Sequence, residues 1–150
     1  MSRSLAVLTV CLTVCLSGCG SSGPRKYPVM GTVLVNGQPA GMVRVQFLHN
    51  DDTVTGNARM PIGLTGDDGA FSLTTSGNKD GAVEGEYTIA FEWLSGNDLG
   101  AYDRFGGKFA SPKESKFKAR VEAKSNTLAP FEITIPESQL VKKPGRGEPR

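Results

Sequence analysis

The sequence is poor in the residues that most often build metal and catalytic sites. Its 150 residues include one histidine, one tryptophan and three cysteines. A single histidine leaves no usual ligand set for zinc, so we expect neither a metal nor a cofactor. Seventeen basic residues are nearly balanced by fifteen acidic ones. The chain therefore lacks the positive charge excess that is typical of proteins that bind nucleic acid.

The longest hydrophobic run is too short to cross a membrane. Residues 5–16 are apolar or small and follow Arg3. As a helix this segment would span about 18 Å, whereas the hydrocarbon core of a bilayer is about 30 Å thick. A basic residue, a short apolar run and then small residues are typical of a secretion signal.

The four residues after that run carry an anchoring motif. Residues 16–19 (LSGC) resemble the lipobox of bacterial lipoproteins. The resemblance implies that residues 1–18 are removed as a signal peptide and that Cys19 is fatty-acylated. Several acyl chains on one cysteine anchor a protein stably in a membrane. Gly20 in the next position favours, by the same resemblance, the outer membrane over the inner membrane of the bacterial cell envelope.

The mature chain has many turn-forming residues and short alternating segments. The 19 glycines and 9 prolines argue against long helices. Cys11 and Cys15 leave with the signal, so no thiol remains for a disulfide. Apolar and polar residues alternate with a period of two, as in strands with one buried face. The alternating segments lie at 29–35, 43–47, 62–65, 70–74, 87–91, 117–124 and 131–135.

These segments predict an all-β domain over residues 29–135, an antiparallel β-sandwich of about seven strands. Phe71 and Phe131 are candidate core residues on its apolar faces. By composition, residues 19–28 are predicted to be a flexible tether and residues 136–150 a disordered basic tail.

Three motifs resemble carboxypeptidase regulatory-like, transthyretin-like domains in order and spacing. They are found at residues 33–45, which begin VLVNGQPA, at 65–73 (TGDDGAFSL) and at 85–89 (GEYTI). The resemblance implies a transthyretin-like sandwich. It also implies that the chain is not an enzyme, since this domain is non-catalytic in its peptidase parents. From residue 103 onward, the chain is similar to a group of short bacterial lipoproteins that carry this fold.

Residues 94–116 form the one long stretch without strand periodicity. A connection of this length inside a compact domain is often functional. Aromatic and basic side chains suggest a site that stacks on a sugar or holds a peptide. An alternative is that the loop folds back and buries its aromatic rings in a satellite cluster. The candidate ligand-binding residues are Trp93, Tyr102, Phe105, Lys108 and Phe109.

His49 and two aspartate pairs are the remaining candidates for chemistry. A hydrolase would use His49 as a base, but no G-x-S-x-G nucleophile motif accompanies it. We therefore expect a solvated loop histidine. The acidic pairs at 51–52 and 67–68 are adjacent residues rather than the alternating ligands of a calcium loop, which favours a role in turns.

The sequence thus predicts a membrane-anchored cell-envelope lipoprotein, held through lipid on Cys19, with a non-catalytic binding or structural β-sandwich. Its partner would be an envelope protein or a glycan. Two alternatives remain open: a carbohydrate-binding module that uses the aromatic loop at 93–109, and an envelope hydrolase.

Replacing Cys19 by alanine is expected to abolish incorporation of a labelled palmitate and to release the protein from washed membranes. The matched control is Cys15→Ala, which alters a cysteine inside the removed signal and should leave both measurements unchanged. Palmitate labelling that survives in the Cys19→Ala variant would contradict the assignment of the anchor.

Overall fold

Eleven strands joined by turns and short 3₁₀ segments make up the computed structural model, which describes residues 23–142. Within those residues, no helix is long and apolar enough to span a bilayer. The strands are β1 (Lys26–Tyr27), β2 (Val29–Val35), β3 (Gln38–Pro39), β4 (Val43–His49), β5 (Ile62–Leu64), β6 (Ala70–Ser72), β7 (Ala82–Val83), β8 (Gly85–Trp93), β9 (Lys118–Val121), β10 (Asn126–Thr127) and β11 (Phe131–Ile133). The 3₁₀ segments are Gly56–Arg59, Pro112–Glu114 and Glu137–Gln139.

The strands form two main sheets, and the predicted antiparallel β-sandwich is confirmed. The first sheet has the antiparallel order β5-β4-β8-β9. The second is centred on β2, which pairs with β3 and β6 in antiparallel fashion. In β2 and β4 every second residue is buried, because successive side chains of a strand point to opposite faces. A short ribbon of β1 and β7 completes the fold.

Two strands of the second sheet depart from the antiparallel arrangement. Strands β10 and β11 run parallel to β2, and the chain reaches them after it leaves β9 in the first sheet. Buried Asn126 fixes the end of this crossover, because its backbone N–H donates to the Pro28 carbonyl at 2.8 Å and its side chain orders the preceding turn. Its amide nitrogen donates to the carbonyls of Lys124 and Glu122, and its side-chain oxygen accepts the Glu122 N–H at 2.9 Å.

The ordered body is longer at both ends than the predicted residues 29–135. Strand β1 lies inside the predicted tether, where Lys26 donates to Ser76 and to the Asp80 carboxylate, each at 2.8 Å. At the other end, Leu140 packs against the core and the Val141 N–H donates to the Arg104 carbonyl at 2.8 Å. Composition predicts a disordered tail from residue 136 because it does not register these tertiary contacts. The predicted signal peptide, Cys19 and residues 143–150 lie outside the described residues.

Aromatic rings fill the space between the two sheets. Phe71 and Phe131 are 4% and 8% exposed, so the predicted core positions are confirmed. Their rings stack at 6.3 Å between centroids, and each lies 6.4 Å from the ring of Phe47 in the opposite sheet. Phe131 also contacts the rings of Phe91 and Phe117. The two sheets are therefore joined through side chains of high buried area.

The Phe71 ring depends on two glycines. A Cβ atom at Gly31, its partner on β2, would lie 2.7 Å from the ring, and one at Gly63 on β5 would lie 3.1 Å away. The Cβ at Gly63 would also lie 3.1 Å from the carbonyl oxygen of Ser72. Glycine at both positions lets β5 and β6 approach closely where one sheet passes into the other.

Phe71→Ala is expected to lower the free energy of unfolding by about 3–5 kcal/mol, because it removes a buried ring and leaves a cavity. Urea denaturation measures the loss. Exposed Met60 is the matched control, and Met60→Ala should stay within about 0.5 kcal/mol of the parent. A loss below about 1 kcal/mol for Phe71→Ala would show that this ring is not part of the core.

Candidate functional site

The segment after β8 folds back on itself and is held by one carboxylate. Leu94 pairs with Asp103, and the Arg104 N–H donates to the Trp93 carbonyl at 2.7 Å. The Asp103 side chain accepts three backbone N–H groups, from Trp93 at 2.8 Å, Phe105 at 2.9 Å and Gly107 at 2.7 Å. A carboxylate that accepts several N–H bonds orders the loop around it.

The structure separates the five predicted ligand-binding residues into two groups. Phe105 is fully buried and its ring contacts those of Trp93 and half-buried Phe109 at 5.5 and 5.0 Å. Phe105 and Phe109 thus extend the hydrophobic core under the loop, as in the alternative that buries the aromatic rings. Exposed Lys108 donates to the side-chain oxygen of Gln139 at 2.8 Å.

Trp93 and Tyr102 do come together, in a cleft of about 750 Å³. Glu137 and residues 140–142 line it as well. The Trp93 indole N–H donates to the Gly41 carbonyl at 3.0 Å, and the Arg104 guanidinium lies 3.5 Å from the centre of the indole ring. Arginine thus covers one face of the tryptophan, so Trp93 does not offer both faces of its ring to a sugar.

A second and larger concavity, of about 930 Å³, lies where β5 and β6 meet. Three exposed apolar side chains line this groove together: Met30 at 44%, Ile62 at 47% and Leu64 at 50%. Phe71 lines it from the core side. Contiguous exposed apolar side chains in a folded domain mark sites of interaction.

The hairpin of β5 and β6 is paired at its two ends and not at its middle. Ile62 pairs with Thr74, and the Gly66 N–H donates to the Ala70 carbonyl at 2.9 Å. Leu64 and Ser72 would form the pair between them in a regular hairpin, but no strand pairing joins them. The strands separate there because β5 pairs with β4 in one sheet and β6 with β2 in the other.

The rim of the groove is polar and locally rigid. It includes Thr74, Asn78 and Lys79, and the loop that carries the last two is tied to Asp80. Burial alone would raise the pKa of Asp80. Hydrogen bonds from Lys26 and from backbone N–H groups outweigh burial and hold that pKa well below its usual value.

Sequence reasoning missed this groove. Met30 occupies a position on the polar face of β2, between residues assigned to the core. Leu64 and Ile62 flank Gly63, which alone of the three is buried. The sequence signal for the groove is an apolar residue at a position where the alternating pattern of a strand places the side chain on the outer face.

His49 lies at the end of β4 and is buried, with 5% of its surface exposed. The predicted solvated loop histidine is therefore wrong. Its Nδ1 accepts the Asp51 N–H at 3.0 Å, so Nε2 carries the proton and donates to the Glu84 carbonyl at 3.1 Å. The ring also packs edge-on against Tyr87 at 4.8 Å. Both nitrogens bind backbone atoms, which leaves neither to activate a nucleophile in this arrangement.

The neighbouring titratable groups also serve the fold. Burial raises the pKa of the Tyr87 hydroxyl well above its usual value, and the hydroxyl donates to the Val83 carbonyl at 2.9 Å. Asp51 and Asp68 accept N–H groups two residues ahead, from Thr53 and Ala70, which fits the predicted role in turns. Over residues 23–142, no group of three or more His, Cys, Asp or Glu side chains is placed to hold a metal ion.

No protein-family model and no curated protein matches the chain. Among solved structures, it is similar to a DUF3823 family protein from Parabacteroides merdae, at 16% identity and a TM-score of 0.45, over 75% of this chain and 47% of that one. It is also similar to the dioxygenase domain of a dioxygenase carbohydrate-binding protein fusion from Streptomyces, at 16% identity and a TM-score of 0.41, over 77% and 84% of the two chains.

A third similar structure is a 9R-lipoxygenase from Cyanothece, at 11% identity and a TM-score of 0.39, over 88% of this chain and 18% of that one. The chain thus spans about half the length of the DUF3823 protein and under a fifth of the lipoxygenase. At these identities and TM-scores, no activity or partner of those proteins transfers to this chain.

Because the aromatic residues of the loop differ in burial, we expect their replacement by alanine to lower the free energy of unfolding by different amounts. Phe105→Ala is expected to lower the free energy of unfolding by about 3–5 kcal/mol, because its ring is enclosed. Tyr102→Ala should cost less than about 1 kcal/mol, because that ring is partly exposed in the cleft. Urea denaturation compares the two, and equal losses would contradict the assignment of Phe105 to the core and Tyr102 to the surface.

Proposed function

We propose that this chain is a lipid-anchored, non-catalytic binding protein of the bacterial cell envelope, and that its groove holds an extended apolar segment of another envelope protein. The observation that carries this proposal is the collection of Met30, Ile62 and Leu64 in one groove, each close to half exposed.

The chemistry of the groove suits a polypeptide. Burying apolar surface contributes about 25 cal/mol per Å², so covering aliphatic side chains that already lie exposed is favourable. The polar rim, with Thr74 and Asn78, supplies hydrogen-bonding groups for a peptide backbone. The apolar lining is aliphatic apart from buried Phe71, whereas a glycan would be expected to stack on an exposed aromatic ring.

The anchor would hold this groove close to a membrane. Lys26 follows Cys19 by seven positions, and an extended chain advances at most about 3.6 Å per residue, which gives a reach of about 25 Å. Lys26 is bonded to Ser76 and Asp80, in the loop whose residues Asn78 and Lys79 border the groove. A partner in the groove would therefore be an envelope protein near the membrane surface, with the outer membrane favoured by Gly20.

The placement of the three family-like motifs supports the finer assignment to the carboxypeptidase regulatory-like, transthyretin-like group. The first motif covers the turn from β2 through β3 into β4. The second covers the turn after β5 together with β6, and the third covers the start of β8. All three thus occupy turns and strands of the sandwich, as they would in a domain of that group.

A photo-activated cross-linker in place of Leu64, in the membrane-anchored protein in cells, is expected to give a discrete adduct. The matched control places the same cross-linker at Leu99, which is fully exposed outside the groove, and should give none. In the presence of a second substitution, Met30→Glu, the adduct from position 64 should be lost, because a charge is buried without a partner.

Three outcomes would overturn the proposed function. The first is the absence of any adduct at position 64, and the second is the same adduct at position 99. The third is an adduct that survives Met30→Glu in a protein whose circular dichroism spectrum shows it to be folded.

A further inference from the structure

The cleft beside Trp93 is chemically unlike the groove. Successive residues along the end of β8 point to opposite sides, so Leu94 lines the groove whereas Trp93 and Ser95 line the cleft. The two sites share one short segment of chain and present different surfaces. The groove is lined by aliphatic residues and by Arg44, which is paired with Glu92, whereas the cleft carries Arg104.

Arg104 is fixed in this cleft by its backbone and by its side chain. Its N–H donates to the Trp93 carbonyl, and its own carbonyl accepts the Val141 N–H at 2.8 Å. The guanidinium lies on the indole ring at 3.5 Å. Such stacking holds the planar group in one orientation, with its N–H donors directed along its edges.

The charge of Arg104 has no acidic counterpart in the part of the chain that the structure describes. There, its guanidinium forms neither an ion pair nor a side-chain hydrogen bond, whereas Arg44 and Arg120 pair with Glu92 and Glu86 at 3.0 Å. The nearest acid along the chain, Asp103, is occupied by three backbone N–H groups.

We propose that the stacked Arg104 guanidinium binds a carboxylate of a ligand in this cleft. A guanidinium and a carboxylate match as two parallel N–H···O bonds. The charged side chains that line the cleft are Arg104, Lys142 and Glu137, so a single negative charge is complementary to them. A phosphate dianion would place more negative charge near Glu137. The carboxylate belongs either to the end of a peptide or to an acidic sugar.

The test uses the fluorescence of Trp93, which is the one tryptophan of the chain and lies against the proposed ligand group. The full-length protein in detergent is titrated with N-acetylalanine and its amide, with glucuronate and glucose, and with inorganic phosphate. We expect a saturable change with one or both carboxylates and none with the amide or glucose. The carboxylate that saturates identifies a peptide or a sugar source.

Arg104→Gln is expected to weaken that binding about tenfold or more, because it removes the charged hydrogen bonds. Arg104→Lys should also weaken it, because lysine keeps the charge and loses the planar fork. Arg120→Gln, an exposed arginine on β9, is the matched control and should leave binding unchanged. Calorimetry repeats the titrations without the tryptophan signal, and circular dichroism verifies folding.

A response to the amide equal to that of the acid, tighter binding of phosphate than of either carboxylate, or an equal loss in Arg120→Gln would overturn the assignment. Absence of saturation with both carboxylates would do the same. This inference does not depend on the proposed function of the groove, because cross-linking at position 64 tests the groove and the Trp93 titration tests the cleft.

Discussion

The contact between the Phe71 ring and two glycines is the constraint on which the rest of the structure depends. The ring occupies the space that side chains at Gly31 and Gly63 would need, and it stacks on Phe131 and faces Phe47 in the opposite sheet. Because Gly63 has no side chain, β5 can approach β6 while it pairs with β4. One ring therefore joins the sheets and sets how the two strands separate.

Residues 23–142 contain no cysteine, so the sandwich they form relies on packing of this kind. Phe131 contacts four aromatic rings, and the loop after β8 adds Phe105 and Phe109 to the same core. The apparent surplus of aromatic residues in that loop is largely a structural requirement. Only Trp93 and Tyr102 remain at the cleft, and Arg104 covers part of the indole ring.

The sequence predicts the longer strands well and the short ones poorly. Each alternating segment corresponds to one of β2, β4, β5, β6, β8, β9 and β11, because burial of one face imposes a period of two. Strands β1, β3, β7 and β10 have two residues each, too few to show a period. The parallel return beside β2 depends on the bond from the Asn126 N–H to the Pro28 carbonyl, and the burial of His49 depends on Glu84; both partners are distant in sequence. Such contacts are invisible to local patterns.

The same limit explains why the sequence singles out Trp93 and Tyr102 beside the cleft but none of the exposed aliphatic residues of the groove. Aromatic residues in a long loop are recognisable from the sequence as candidates for binding. Met30, Ile62 and Leu64 lie in ordinary strand segments and become neighbours only where the two sheets meet. Phe71 lies behind them and is part of the core. The proposed binding surface and the core therefore share one residue, since the Phe71 ring that lines the groove also packs closely beside Gly31.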